Sequence, residues 1–158
     1  MAKIVIRGQS QDISREETRE VISFFADKLL GQRLSKNIKI FFSFDPKLED
    51  FGLITRLDMA ARNARKFSVK IAAQLNRTTA LLTIAHEIVH VKQYARGELK
   101  DMMTQQSKKW LGEVYDENVA YEDHPWEIEA LKMEPLLLQS WLDYKKEYRW
   151  KSINYWKL

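Results

Sequence analysis

The residues of this chain best suited to chemistry are His86, Glu87 and His90, which lie in the run His86-Glu87-Ile88-Val89-His90 and spell H-E-x-x-H. In an α-helix, residues four apart sit about 40° apart around the axis and one turn along it, so two imidazoles at that spacing can converge on one metal ion. Glu87 is rotated by roughly 100° from His86 and is poorly placed to ligate the same ion. It can instead hydrogen-bond a water held there. Zinc brings such a water's pKa toward neutrality, and a neighbouring carboxylate takes the proton as the water attacks a carbonyl. The spacing predicts metal ligands at His86 and His90, a general base at Glu87, and Zn2+ as the cofactor. The chain has 3 His and 0 Cys. A thiol nucleophile and every cysteine-based zinc site are excluded.

A catalytic zinc site is completed by a third protein ligand and leaves one position open. Without cysteine that ligand must be His, Asp or Glu. The metzincin spacing needs glycine at position 93 and histidine at position 96, where this chain has Gln93 and Arg96, so that class is excluded. Downstream, the segment Tyr121-Glu122-Asp123-His124-Pro125-Trp126-Glu127-Ile128-Glu129-Ala130 joins a helix start, two glutamates and the last histidine. Its candidates are Glu127, Glu129 and His124. Acids in a first helical turn are favoured by the helix dipole alone. That accounts for the glutamates but not for their company.

The two segments, His86-Glu87-Ile88-Val89-His90-Val91-Lys92-Gln93-Tyr94 and Pro125-Trp126-Glu127-Ile128-Glu129-Ala130, make up about a tenth of the chain. Together they resemble the gluzincin-type zinc metallopeptidases and small metallopeptidases encoded by bacteriophages. In gluzincins a second helix supplies a glutamate, with a small residue three positions on and Asp or Asn four positions on. Glu127 has Ala130 at the small position, whereas Glu129 has Lys132 there. The resemblance implies Glu127 as the third ligand, with Glu129 and His124 as alternatives. The fourth position holds Leu131, so the carboxylate that usually supports a zinc-bound histidine must come from elsewhere or be missing. The resemblance also implies a zincin-like α+β fold: a small twisted mixed sheet, an active-site helix and C-terminal helices. It implies Tyr121 as a donor to the oxyanion. The activity it implies is zinc-dependent hydrolysis of peptide bonds in a peptide or protein substrate. Two other readings stand beside it. One is a non-catalytic zinc-stabilised binding or regulatory module, which would have no use for Glu87. The other is a SprT-like protease acting on nucleic-acid-associated proteins, which takes a third histidine where this chain offers His124.

These residues must be held by regular elements. Ala2–Gly8 alternates apolar and polar residues and predicts a strand. Ser14 and Glu17 form a capping-box spelling, and the apolar spacing after them predicts a helix over Ser14–Leu30, stopped at Gly31. Asn37–Phe44, Gly52–Met59 and Phe67–Ala73 read as strands, with a turn or loose helical loop between the last two. Helical spacing returns over Arg77–Arg96, capped by Asn76 and ended by Gly97. Leu81, Ala85, Ile88 and Val89 form its core arc, with His86, His90 and Gln93 flanking it. Gln93 reads as a solvated helix residue, with orienting a ligand or touching substrate as the alternative. Lys100–Asn118 is irregular, with a short strand at Trp110–Tyr115. Asp123 then caps a helix opening at Pro125 and broken near Pro135. Strands grouped early and helices later indicate α+β rather than an alternating βαβ sheet.

With 158 residues, 45% hydrophobic and 30% charged, the chain forms a single domain over residues 1–158. No apolar run approaches a membrane span, and the start lacks a secretory signal, so a cytoplasmic location and no membrane partner are expected. A formal charge of +4 permits nucleic-acid contact without indicating it. The tail adds basic and aromatic residues: Trp141, Tyr144, Lys145, Lys146, Tyr148, Arg149, Trp150, Lys151, Tyr155, Trp156 and Lys157. Trp141, Tyr144 and Tyr148 are at helical spacing and read as a packing stripe.

Overall fold

A computed structural model of the chain describes residues 1–103, 107–116 and 118–154, with side chains through Arg149. Tyr155, Trp156 and Lys157 and the side chains of Trp150 and Lys151 lie outside the described residues. The order is β1 (Lys3–Arg7), α1 (Arg15–Ser35), β2 (Lys39–Asp45), β3 (Gly52–Arg56), β4 (Lys66–Ala72), α2 (Arg77–Ala95), β5 (Leu99–Asp101), β6 (Lys108–Trp110), β7 (Glu113–Tyr115), a 3-10 turn at Tyr121–Asp123, and α3 (Pro125–Asn154).

The fold is α+β. Its main sheet has four strands in the order β1-β2-β4-β3. β1, β2 and β4 are parallel, and β3 is an antiparallel edge strand on β4. The sheet is therefore mixed, as expected, but β1, α1 and β2 form a βαβ crossover that the grouping of strands had argued against. The reversal at β3 is what keeps the sheet from being wholly parallel.

Alternation sends Ile4, Ile6, Ile40, Phe42, Phe44, Phe67, Val69 and Ile71 to one face, where they join the core with α1 and α2. The Ser14 hydroxyl caps α1 by accepting from Glu17 N at 3.1 Å, and the Asn76 side chain caps α2 by accepting from Thr79 N at 2.9 Å. Each such cap is worth about 1 kcal/mol. Gly31, at φ 74° and ψ 153°, breaks the helical backbone at the predicted stop, and a short helical turn follows it to Ser35.

α2 is buried on nearly every side, between the sheet, α1 and α3. A helix with apolar residues all round is a core helix. Polar side chains inside it must find partners there, and those in α2 are Thr83, Glu87, His90 and Gln93.

Two expectations fail in the C-terminal half. Lys100–Asn118 holds a three-stranded antiparallel sheet, β5-β6-β7, in place of one short strand. Its hairpin turns on Leu111 and Gly112, both at positive φ (47° and 95°). The C-terminal helices are one helix, α3, which runs through Pro135. Pro135 cannot donate to the carbonyl of residue 131. Leu131, Pro135 and Leu136 all face solvent, so water can take up that carbonyl. Of the predicted stripe, Trp141 is fully buried against Phe24 (ring centroids 5.4 Å), Tyr144 lies over Phe24 at 5.0 Å, and Tyr148 is exposed. Among the described residues no helix is long and apolar enough to cross a membrane.

Candidate metal centre

Three elements meet at the motif. α2 carries His86, Glu87 and His90, the first turn of α3 carries Glu127, and β3 runs beside them as the sheet edge. The small β5-β6-β7 sheet supplies the far wall of the cleft. It is pinned to α2 by Lys108, whose ammonium donates to Tyr94 Oη at 2.7 Å and to Asp101 at 3.0 Å, while Trp126 packs on Tyr115 and Trp110. Burial pushes the Tyr94 phenol up to about 12 despite the Lys108 charge. Between these walls lies a cleft of about 970 Å³, lined by His86, Glu87, His90, Glu127, Tyr121 and Glu134 among others.

At its floor His86 Nε2 and His90 Nε2 are 3.1 Å apart. The Glu127 carboxylate closes the triangle, with Oε2 3.1 Å from His86 Nε2 and Oε1 3.3 Å from His90 Nε2. Ligand atoms on a tetrahedral zinc, at bonds of about 2.0–2.1 Å, are about 3.3–3.4 Å from one another. The separation of the two nitrogens is within a few tenths of an ångström of that spacing, and each nitrogen has one carboxylate oxygen at a comparable distance. Among the described residues, His86, His90 and Glu127 are the group of acids and histidines that could hold a metal ion.

The hydrogen bonds behind the rings decide which nitrogens face the triangle. Gln93 Nε2 donates to the Trp126 carbonyl at 2.9 Å, which turns Gln93 Oε1 toward His90 Nδ1 at 2.7 Å. An amide oxygen only accepts, so Nδ1 of His90 carries the proton and Nε2 keeps its lone pair. His86 Nδ1 likewise faces Glu134 Oε2 at 3.3 Å. Both Nε2 lone pairs then point at one spot beside a carboxylate, an arrangement that demands a cation. In the chain alone a proton serves. Burial opposes charge on His86, but the hydrogen bond to Glu127 and the charges of Glu87, Glu127 and Glu134 outweigh it and raise its pKa. Burial also opposes charge on Glu127, yet the two imidazoles beside it and the hydrogen bond from Tyr121 hold its carboxyl far below the usual range. Two imidazoles with a carboxylate are a zinc-type donor set, so this group could hold a divalent cation in place of the proton.

Glu87 lies in the same cleft but outside the triangle. Burial raises its pKa, partly offset by the His90 and His86 charges. Its carboxylate is packed against β3: a Cβ at Gly52 would fall 2.5 Å from Glu87 Oε1 and 2.9 Å from Thr83 Cγ2. Glycine is what lets the edge strand come this close.

The other predicted residues take distinct places. Glu129 turns to Lys92, 2.6 Å away, and not to the histidines. His124 stacks on Trp126 with ring centroids 4.4 Å apart, and its backbone carbonyl accepts from Ile128 N at the opening of α3, where Asp123 was expected to cap. The Tyr121 hydroxyl donates to Glu127 Oε2 at 2.6 Å, and burial, with Glu127 beside it, pushes its pKa well above the usual phenol range. Gln93 is fully buried, not solvated. Glu134 was not anticipated. It lies seven residues after Glu127, two turns along α3, so it reaches His86 where the position four residues on holds Leu131. A search for acids at helical spacing beyond one turn would have found it.

No family model, curated protein or solved structure matches this chain.

Proposed function

We propose that this chain is a zinc metallopeptidase of zincin type that hydrolyses peptide bonds in a peptide or protein substrate. The observation that carries the reading is the triangle of His86, His90 and Glu127 at the floor of an open cleft, with Glu87 beside it and outside it. A closed structural site would have no reason to keep a buried carboxylate next to its ligands and a cleft in front of them. The mixed sheet, with the motif helix packed on it, is in keeping with a zincin.

His86, His90 and Glu127 would hold zinc, which when bound polarises the scissile carbonyl and acidifies water. Glu87 accepts the proton of the attacking water and returns it to the departing amine nitrogen. Burial raises its pKa above that of a free carboxylate, which favours taking up the proton and holding it for transfer. Tyr121 stands at the mouth of the cleft with a hydroxyl that can turn from Glu127 to the developing oxyanion. Gln93 and Glu134 hold the two rings with Nε2 inward. β3 pairs with β4 on one side only, so its outer edge can take an extended peptide by main-chain hydrogen bonds. Gly52 brings that edge against Glu87.

Elemental analysis and competition with a chromophoric chelator test the reading. One zinc per chain is expected, with affinity strongly reduced in Glu127→Gln and His86→Ala. Purified chain that takes up no stoichiometric zinc would overturn it.

A further inference from the structure

The face of the main sheet turned away from the helices has its own pattern. Alternation places Lys3, Val5 and Arg7 of β1, Lys39, Phe41, Ser43 and Asp45 of β2, Lys66, Ser68 and Lys70 of β4, and Leu53 and Thr55 of β3 there. The register then lines up the charges. Lys3, Lys39 and Lys66 stand side by side across three strands, and four residues further on Arg7, Ser43 and Lys70 form a second row. Neighbours within a row are about 4.8 Å apart, and the rows are separated by about 13 Å. Between them lie Val5, Phe41 and Ser68. Among the described residues none of these five cations enters an ion pair, and Asp45 is the face's one carboxylate. The face's excess of positive charge equals the +4 of the whole chain, so the rest of the molecule is balanced.

Like charges in register destabilise a sheet. Three lysines in one row, with no carboxylate opposite them, are costly unless a polyanion covers them. We propose that this face binds single-stranded nucleic acid. Phe41 offers a ring on which a base can stack, and the flanking phosphates would reach the lysine row on one side and Arg7 and Lys70 on the other. Phe41 is half-buried, with the Lys39 ammonium 4.9 Å from its centroid, so a cation already stands beside the stacking position. A duplex would hide its bases from Phe41. A lipid surface would call for apolar side chains outside the cation rows, whereas Val5 and Phe41 lie between them. The face is on the opposite side of the sheet from the metal centre, so the proposal stands apart from the peptidase reading.

The test is fluorescence anisotropy with a labelled oligothymidylate of roughly 20 nucleotides at about 50 mM salt, with the corresponding duplex and phosphatidylserine-containing vesicles as competitors. Binding should weaken with salt, with a log–log slope of about −0.7 for each phosphate contacted. The triple variant Lys3→Gln, Lys39→Gln, Lys66→Gln should lose tenfold or more in affinity and make the slope shallower by about 2. Its melting temperature should stay at or above the wild-type value, because the repulsion is gone. Phe41→Leu should lose about fivefold or more. Absence of binding, a triple variant that binds as the wild type does, or equal or stronger binding to duplex or vesicles would each overturn the proposal.

Discussion

Gln93 joins both halves of the proposed metal centre, and Gln93→Leu tests that role. The side chain is fully buried, accepts from His90 Nδ1–H at 2.7 Å and donates to the carbonyl of Trp126, the residue before Glu127, at 2.9 Å. Leucine has a similar volume and neither bond. The orphaned Nδ1–H should cost about 1–3 kcal/mol, while the Trp126 carbonyl, as a helix carbonyl, can rely on its intrahelical partner. For a domain of this size that is a fall in melting temperature of about 3–10 °C, within a total stability of about 5–15 kcal/mol, so the variant stays folded. The metal should suffer separately. With no acceptor at Nδ1, nothing holds the tautomer or the ring angle, and zinc affinity should drop about 10–100-fold. Thermal melts of the metal-free chain and chelator competition of the loaded chain read the two effects independently. A folded Gln93→Leu protein with unchanged zinc affinity would refute the claim that Gln93 sets the orientation of His90.

Glu87→Gln should leave zinc content and melting temperature nearly unchanged while lowering turnover by about 10²–10⁴, read by stopped-time peptide digestion beside metal analysis. Gly52→Ala would set a methyl group 2.5 Å from Glu87 Oε1, so β3 or the Glu87 side chain must shift; a loss of about 1–3 kcal/mol in denaturant unfolding is expected, with zinc retained and turnover reduced. In the metal-free chain the His86 pKa is raised above its ordinary 6.5. Its stabilising contribution should therefore be complete below about pH 6.5 and lost as pH rises through the folded value. Protons and zinc compete for the same nitrogen, so the stabilisation given by added zinc should run the other way and grow over that range, as melts with and without zinc would show.

The sequence conveyed what spacing along one element can convey. The bounds and cap of α2, the Ser14 cap, the Gly31 stop and the convergence of His86 with His90 are all local, set by the helical period and by capping chemistry. Glu127 was approachable because it opens a helix behind a proline. What stayed hidden depends on how elements meet. Gln93 differs from a surface glutamine only because α3 covers it, and Glu134 reaches His86 only because α2 and α3 pack side by side. The strands of the small sheet are three residues each, too short for a period to register. Their hairpin turn carries Leu111 where Asn or Asp would have announced it. Pro135 was expected to break α3, but its exposed side tolerates the missing bond. The lysine rows become visible only when the register sets β1, β2 and β4 side by side.

The central claim is that the cleft cuts peptide bonds with Glu87 as the base. The direct measurement is mass-spectrometric analysis of a peptide library incubated with the zinc-loaded chain, run in parallel with zinc-loaded Glu87→Gln and with chelated wild type. The account predicts new termini from the wild type alone, both controls leaving the library intact. A wild-type chain carrying stoichiometric zinc that cleaves no bond, or a Glu87→Gln chain that cleaves as fast as the wild type, would contradict it.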